Sequence, residues 1–144
     1  MMQLSVEKDL LGPWLAAKVG MVWAPEGREL VGLLQDGKPV AAALFENCTG
    51  LSMECHVAVD RPGLPLRQWI IASFRYAFVQ NGVEKLIGRV NSNNRAALHF
   101  DYRLGFDPWA VIPRVYKDGG DCLIMVLLRE RCKWIPAEYR REAA

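Results

Sequence analysis

Short apolar runs separated by turn residues dominate the chain from residue 28 onward, a pattern typical of β-strands. Strands are predicted at 28–35 and 39–47, joined by Asp36-Gly37-Lys38, which favours a tight hairpin because Gly tolerates positive φ. A third strand is predicted at 51–59, where polar and apolar positions alternate. Its apolar side chains are Met53, Cys55, Val57 and Val59, and the intervening residues are Ser52, Glu54, His56 and Ala58. One face of this strand should therefore be apolar, and the other should carry the polar and ionisable side chains.

Apolar side chains spaced four residues apart predict an amphipathic helix after the turn DRPGLP (60–65). Asn81-Gly82 should end this helix, and 85–91 then forms a short strand. Asn94 begins a second helix, which Gly105 should end in the left-handed conformation. The residues that predict the first helix are Leu66, Ile70, Phe74 and Phe78.

Two further strands, at 109–117 and 122–129, are predicted to form a final hairpin. Pro113 indicates an edge or bulged strand for the first of them, because proline cannot donate to a sheet. The order is thus helices, three strands, helix, strand, helix and two strands, within one domain spanning 1–144.

The two ends of the chain are predicted to be helical. Residues 1–20 suggest one or two short helices, with Ser5 as N-cap, a restart at Gly12-Pro13 and an end at Gly20, within an N-terminal helical segment 1–27. The basic tail 133–144 suggests a solvated helix anchored by Trp134 and Tyr139.

Composition narrows the class of protein. A chain of 144 residues, 51% hydrophobic and 24% charged, matches one globular domain. A net charge of +2 is too small to indicate a nucleic-acid or membrane partner. The four cysteines lack metal-ligand spacing, so no metal site is expected, and reduced thiols in the cytoplasm are the simpler interpretation. The sequence also predicts neither a membrane span nor a secretory leader.

The segment 90–106 carries the most specific motif of the chain, VNSNNRAALHFDYRLGF. It resembles the last helix motif of the GNAT acyltransferase family through Asn94, Ala97, Leu104, Gly105 and Phe106. The order of predicted elements is similar to that family over roughly 28–132. HVAVD, FRYAF and LLRERCKWI are also similar to small GNAT-like proteins of phage and prophage genomes. The resemblance implies a mixed α/β fold whose mostly antiparallel sheet of six to seven strands contains one splayed parallel pair and is flanked by helices.

The resemblance further implies acetyl-CoA as co-substrate, bound where the strands 51–59 and 85–91 separate. Its pantetheine arm would pair with backbone near Val57 and Val59. Its pyrophosphate would lie over the helix start between Arg61 and Arg67, where backbone N–H groups and the helix dipole favour an anion. The full set implied for cofactor binding is Val57, Val59, Arg61, Gly63, Leu64, Leu66, Arg67, Asn91, Asn94, Ala97, Phe100 and Asp101.

The phosphate-binding turn departs from the family pattern, which reads Arg or Gln, two residues, Gly, one residue, then Gly or Ala. Leu64 and Leu66 stand where that pattern has small residues, and Pro62 and Pro65 each remove one N–H donor. Direct charge contact from the flanking arginines would have to compensate.

Catalysis of acyl transfer needs a base for the acceptor amine. His56 is the first candidate, since imidazole changes charge near neutral pH, and Glu54 on the same face is the second. A structural histidine hydrogen-bonded within the sheet explains His56 equally well. Asp101 occupies the place where the family commonly has a Tyr that protonates the leaving sulfur. A carboxylate at this place fits acceptor binding or helix solvation. The neighbouring Tyr102 is expected in the core.

The resemblance, together with these residues, implies an acetyl-CoA-dependent N-acyltransferase that moves an acetyl group directly to a primary amine, on a small molecule or a protein. The alternative is a catalytically silent GNAT-like module for binding or assembly, which the loop leucines and the missing Tyr favour. A nucleic-acid partner rests on the weakly basic tail alone and is not expected. A homodimer stays open.

Overall fold

The computed structural model describes residues 1–141. Within these residues, three helices interrupt a series of seven strands, and two short 3-10 turns follow the last strand. The strands are β1 (Met2–Ser5), β2 (Glu29–Gln35), β3 (Lys38–Glu46), β4 (Ser52–Val59), β5 (Lys85–Asn91), β6 (Asp107–Ile112) and β7 (Cys122–Leu128). The helices are α1 (Lys8–Val19), α2 (Arg67–Phe74), which continues as a π-helical turn (Arg75–Gln80), and α3 (Arg95–Leu104).

One sheet contains all seven strands, in the order β1-β2-β3-β4-β5-β7-β6. Every neighbouring pair is antiparallel except β4 and β5, which are parallel. This arrangement confirms the predicted mixed fold with one parallel pair. β6 is an edge strand with a register shift between Pro108 and Ala110, which confirms the predicted edge or bulged strand. Its predicted bounds, 109–117, are wrong: the strand ends before Pro113, which cannot donate to a ladder.

The first hairpin has the predicted turn. Asp36 and Gly37 both have positive φ, 51° and 81°, which two-residue hairpin turns require. The following register places Glu46 of β3 beside Glu54 of β4, and Leu44 beside His56. The connection at 47–51, which joins β3 to β4, precedes this second register, and the register brings the polar residues of the two strands together.

Two apolar layers cover the sheet. The larger lies between the sheet and α2 with α3, and the smaller lies under α1. Trp69 of α2 is 2% exposed and its indole Nε1 donates to the Val31 carbonyl at 2.8 Å. The predicted apolar face of this helix, Ile70, Phe74 and Phe78, is buried as expected. Among residues 1–141, no helix is long and apolar enough to cross a membrane.

The helical prediction for the first residues is wrong at 2–5, which form β1 and pair with β2. Ser5 does not cap α1; its hydroxyl accepts from the Glu7 N–H at 3.2 Å. Gly12 and Pro13 lie inside one continuous helix. Gly12 sits against the Trp23 ring, where a Cβ would come within 2.3 Å. Gly20 ends the helix in the left-handed conformation, as predicted.

The basic tail is not a solvated helix. Cys132 and Ile135 are 0% and 2% exposed and complete the larger core, and the following Pro136 is incompatible with a helix through this segment. Trp134 Nε1 donates to the Leu104 carbonyl at 3.0 Å, at the end of α3, while Tyr139 is exposed. The last part of the predicted tail, 142–144, lies outside the described residues.

Candidate active site

The parallel strands β4 and β5 separate halfway along their length. Their pairing comprises three residue pairs, of which the last joins Glu54 to Ile87. Beyond it, in the part of the chain that the structure describes, 55–59 pair with β3 alone and 88–91 with β7 alone. A Cβ at Gly88 would lie 3.8 Å from the Cys55 carbonyl oxygen. One backbone edge of β4 is therefore left without a strand partner inside the sheet.

Apolar side chains lie under this gap on the α2 and α3 side. Val57 and Val59 are partly buried against the larger core. Val57 and Cys55 also line a small apolar cavity of about 20 Å³, closed below by Trp69 and Ile70 of α2. Burial raises the pKa of the Cys55 thiol to about 12, so it stays protonated and cannot serve as a nucleophile near neutral pH.

His56 lies on the opposite face, within an ion-pair network that includes Glu46. Its Nε2 is 2.7 Å from Glu46 Oε2, and Arg28 Nε donates to the other carboxylate oxygen at 3.2 Å. The Glu46 side chain is 14% exposed. With its hydrogen on Nε2, a neutral His56 presents a donor to this carboxylate and keeps the Nδ1 lone pair available.

Glu54 lies on the same face, one pair earlier, and both of its oxygens have partners. Asn47 Nδ2 donates to Oε2 at 2.7 Å, and Arg89 of β5 approaches Oε1 at 3.7 Å. These contacts hold the carboxylate in place across the point where β4 and β5 separate. They suit a positioning role better than proton transfer.

The two arginines of the predicted phosphate-binding turn have different surroundings: Arg61 is paired within the protein and Arg67 is exposed. Arg61 is engaged by Asp60 Oδ2 at 2.9 Å and by Gln35 Oε1. Lys18 contacts the same Asp60, and hydrogen bonds from the two cations hold its pKa below the ordinary value. Arg67, by contrast, is exposed at the first position of α2. Gly63 has φ 83° and open space around it.

The two leucines of this turn, which were predicted to contact the cofactor, pack against the protein itself. Leu64 and Leu66 turn toward the larger core.

Arg67 shares a surface pocket of about 290 Å³ with Ile71, Lys133 and Trp134. The tail residues of this pocket were missed, because nothing in the sequence indicates that the chain returns to the start of α2.

Two predicted cofactor residues shape the backbone around α3. Asn91 Nδ2 donates to the Asp118 carboxylate at 3.0 Å, and its Oδ1 accepts from the Asn93 N–H at 3.0 Å. Asn94 caps α3, as predicted, by accepting from the Ala97 N–H at 3.2 Å. Ala97 and Phe100 pack partly against the larger core.

Asp101 is half-buried on α3, on the side facing β4. Burial raises its pKa to about 6, and its charge contributes to the raised pKa of Cys55. The expected core position of Tyr102 is wrong, since that side chain is 49% exposed. The helix turns its 97, 100, 101 and 104 positions inward, and a step of 100° carries Tyr102 away from them.

The Asp101→Asn variant is expected to be more stable than wild type at pH 8. The folded state raises this pKa from 3.8 to about 6, so the carboxyl contributes its full stability below pH 4 and loses it as pH rises through 6. The gain at pH 8 should be about 1 to 2 kcal/mol after allowance for residual solvation, and should vanish near pH 4. Urea unfolding at both values measures it.

The exposed Glu26→Gln variant is the control for loss of a charge and should behave alike at both pH values. An Asp101→Asn effect that is the same at pH 4 and pH 8 would show that the carboxyl is solvated in the folded state.

Among residues 1–141, no group of three or more His, Cys, Asp or Glu side chains is arranged to hold a metal ion.

No family model matches this sequence, and no curated protein matches it.

Solved structures of acetyltransferases are similar to this chain. Spermidine/spermine N-acetyltransferase SpeG from Vibrio cholerae superposes with a TM-score of 0.71 at 12% identity, over 88% of this chain and 92% of that one. The ribosomal-protein-S18-alanine N-acetyltransferase from Escherichia coli gives 0.68 at 22% identity, over 89% and 94%. A putative acetyltransferase of the GNAT family from Desulfovibrio desulfuricans gives 0.68 at 17% identity, over 89% and 99%. The chain therefore has the fold of GNAT acetyltransferases.

Proposed function

We propose that this chain is an acetyl-CoA-dependent N-acyltransferase that moves an acetyl group to a primary amine by direct transfer. The observation that carries the proposal is the gap between β4 and β5, with His56 Nε2 beside it at 2.7 Å from the Glu46 carboxylate. The similarity in fold to acetyltransferases supports the same reaction class.

The residues around the gap fit the chemistry of acetyl-CoA. When bound, acetyl-CoA supplies an activated acetyl thioester. The free backbone edge at Val57 and Val59 can hydrogen-bond an extended amide-containing arm, and the small cavity beneath it has an apolar lining. At the start of α2, Arg67 and Lys133 offer two cations that suit phosphates, and Lys133 Nζ lies 5.1 Å over the Trp134 ring.

The polar face supplies the proton acceptor. His56 Nδ1 takes the proton from the attacking amine, and the Glu46 carboxylate stabilises the resulting imidazolium through Nε2–H. Arg28 fixes the second oxygen of Glu46 and keeps the carboxylate aligned. Glu54, bridged by Asn47 and Arg89, orients the acceptor.

The acceptor is a primary amine on a small molecule or a protein. The names of two similar structures refer to spermidine or spermine and to an alanine of ribosomal protein S18. Spermidine and a peptide with N-terminal alanine therefore form the first acceptor panel.

The four free cysteines support action in the cytoplasm. The similarity to phage-encoded proteins stays a prediction.

Calorimetric titration with coenzyme A should show binding to the wild-type chain. Arg67→Ala should weaken this binding by about 1.5 to 3 kcal/mol, the scale of one charge-assisted contact. Arg75→Ala, an exposed arginine beyond the other end of α2, is the matched control and should leave affinity unchanged. Arg61→Ala should have a smaller effect than Arg67→Ala, because Asp60 and Gln35 already occupy its guanidinium.

Absence of heat and of a thermal shift at millimolar coenzyme A would overturn the proposal. Binding of acetyl-CoA without transfer to any amine of a broad panel would instead favour the silent binding module.

A further inference from the structure

Arg89 and His56 lie on opposite sides of the gap between β4 and β5. The last residue pair of these two strands joins Glu54 to Ile87. Because side chains alternate between the two faces of a strand, His56 and Arg89, two residues further along each strand, share the polar face. A long cationic side chain therefore stands across the gap from the proposed base.

The guanidinium of Arg89 is available to a ligand. Its side chain is 54% exposed, and its Nη2 approaches Glu54 Oε1 at 3.7 Å, which is longer than a hydrogen bond. An exposed pair this long contributes little to stability. A carboxylate can therefore accept two parallel hydrogen bonds from Arg89 without breaking a hydrogen bond to Glu54.

We infer, on the basis of the proposed function, that the acceptor is an α-amino acid with an aliphatic side chain, bound as a zwitterion by Arg89 and Glu54. Arg89 donates to the carboxylate of the acceptor, and Glu54 accepts a hydrogen bond from its ammonium group. The two side chains are 3.7 Å apart, which suits a ligand whose amine and carboxylate are borne by the same carbon atom.

The charges of this face suit a zwitterion better than a polyamine. Glu46 is ion-paired with Arg28, and Glu54 faces Arg89, so each of the two acids beside His56 is matched by a cation. A polycation would find no unmatched acid at these two positions, and the two arginines would repel it. A zwitterion instead presents one charge of each sign to the Glu54 and Arg89 pair.

The surface next to Arg89 is apolar. On this side of the sheet, α1 packs against β2, β3 and β4. Beyond these strands, Ile87 of β5 and Ile124 of β7 are half-buried on the same face, and Ile124 is paired with Arg89. An aliphatic side chain of the acceptor would lie against the two isoleucines while its charged groups contact Arg89 and Glu54.

Transfer to this acceptor needs one base. The bound ammonium group loses one proton to water, and its neutral nitrogen attacks the acetyl carbonyl carbon. The C–N bond forms, and the C–S bond breaks with its electron pair leaving on sulfur. A second proton passes from the nitrogen to His56 Nδ1, and the thiolate takes up a proton from water. The products are an N-acetyl amino acid and coenzyme A.

Leucine and leucinamide test the inference, because they share the amine and the side chain and differ in the carboxylate. Wild type should acetylate leucine with a kcat/KM about tenfold or more above that for leucinamide, each corrected for its fraction of neutral amine. Arg89→Gln should lower the ratio of the two values about tenfold. Arg103→Gln, an exposed arginine of α3 on the other side of the sheet, is the matched control and should keep the wild-type ratio.

A structural role for Arg89 has a different signature, since loss of its contact with Glu54 would change both rates alike and leave the ratio unchanged. A direct binding measurement is independent of turnover. Leucine titrated calorimetrically into protein saturated with coenzyme A should bind, and Arg89→Gln should weaken this binding about tenfold.

The outcomes separate the acceptor class from the proposed function. If coenzyme A does not bind, the proposed function and the amino acid acceptor both fail. If coenzyme A binds, any of three results would overturn the amino acid acceptor alone: acetylation of spermidine or leucinamide as efficient as that of leucine, no binding of leucine, or a ratio that Arg89→Gln leaves unchanged.

Discussion

Replacing His56 by alanine is expected to lower kcat for acetyl transfer by about 10²- to 10⁴-fold, the scale of general base catalysis. The affinity for coenzyme A should not change, because His56 points away from the apolar layer under the gap. Steady-state kinetics with an amine acceptor, combined with calorimetric titration, separates the two effects.

The same contacts predict that Glu46→Gln lowers kcat as well. An amide can present its NH₂ to His56 Nε2 and thereby favour the hydrogen on Nδ1, the atom that must accept the proton. Glu29→Gln on β2 removes a glutamate that is ion-paired with Lys8 and is the matched control. It should leave kcat unchanged.

A structural role for His56 would have a different signature. The His56→Ala variant would then lose thermal stability but keep its activity per folded molecule. In that case proton transfer would fall to Glu54 or to the fraction of the amine that is already neutral in solution.

The sequence predicted the centre of the fold well because the signals there are local. Apolar spacing identified α2, Asn94 and Gly105 delimited α3, and Asp36-Gly37 set the first hairpin. The two ends were wrong because their conformation depends on distant partners. Residues 2–5 form a strand because they pair with β2, about thirty positions later. The tail takes its conformation because Ile135 packs into the larger core.

The site shows the same division. Alternation in β4 placed His56 on the polar face without further information. Glu46 was missed, although the turn that follows it returns the chain into β4 and places it opposite Glu54. The engagement of Arg61 by Gln35 and the burial that raises the pKa of Asp101 depend on tertiary packing, which no local pattern encodes.

Trp69→Ala is expected to destabilise the chain by about 3 to 5 kcal/mol, a large part of the stability of an ordinary domain. Trp69 is 2% exposed, lines the cavity below the gap, and donates to the Val31 carbonyl at 2.8 Å. Its removal would enlarge that cavity and leave the carbonyl without its indole donor. For a chain of this size the melting temperature should fall by roughly 6 to 20 °C.

Two further variants separate the contributions of Trp69. Trp69→Phe keeps most of the apolar contact and removes the indole donor, so its cost should be about 1 to 3 kcal/mol. Val22→Ala changes a side chain that is 85% exposed and should stay within about 0.5 kcal/mol of wild type. Urea unfolding measures all three. A Trp69→Ala cost close to that of Val22→Ala would mean that α2 does not pack on β2 as described, and the apolar floor under the gap would lose its support.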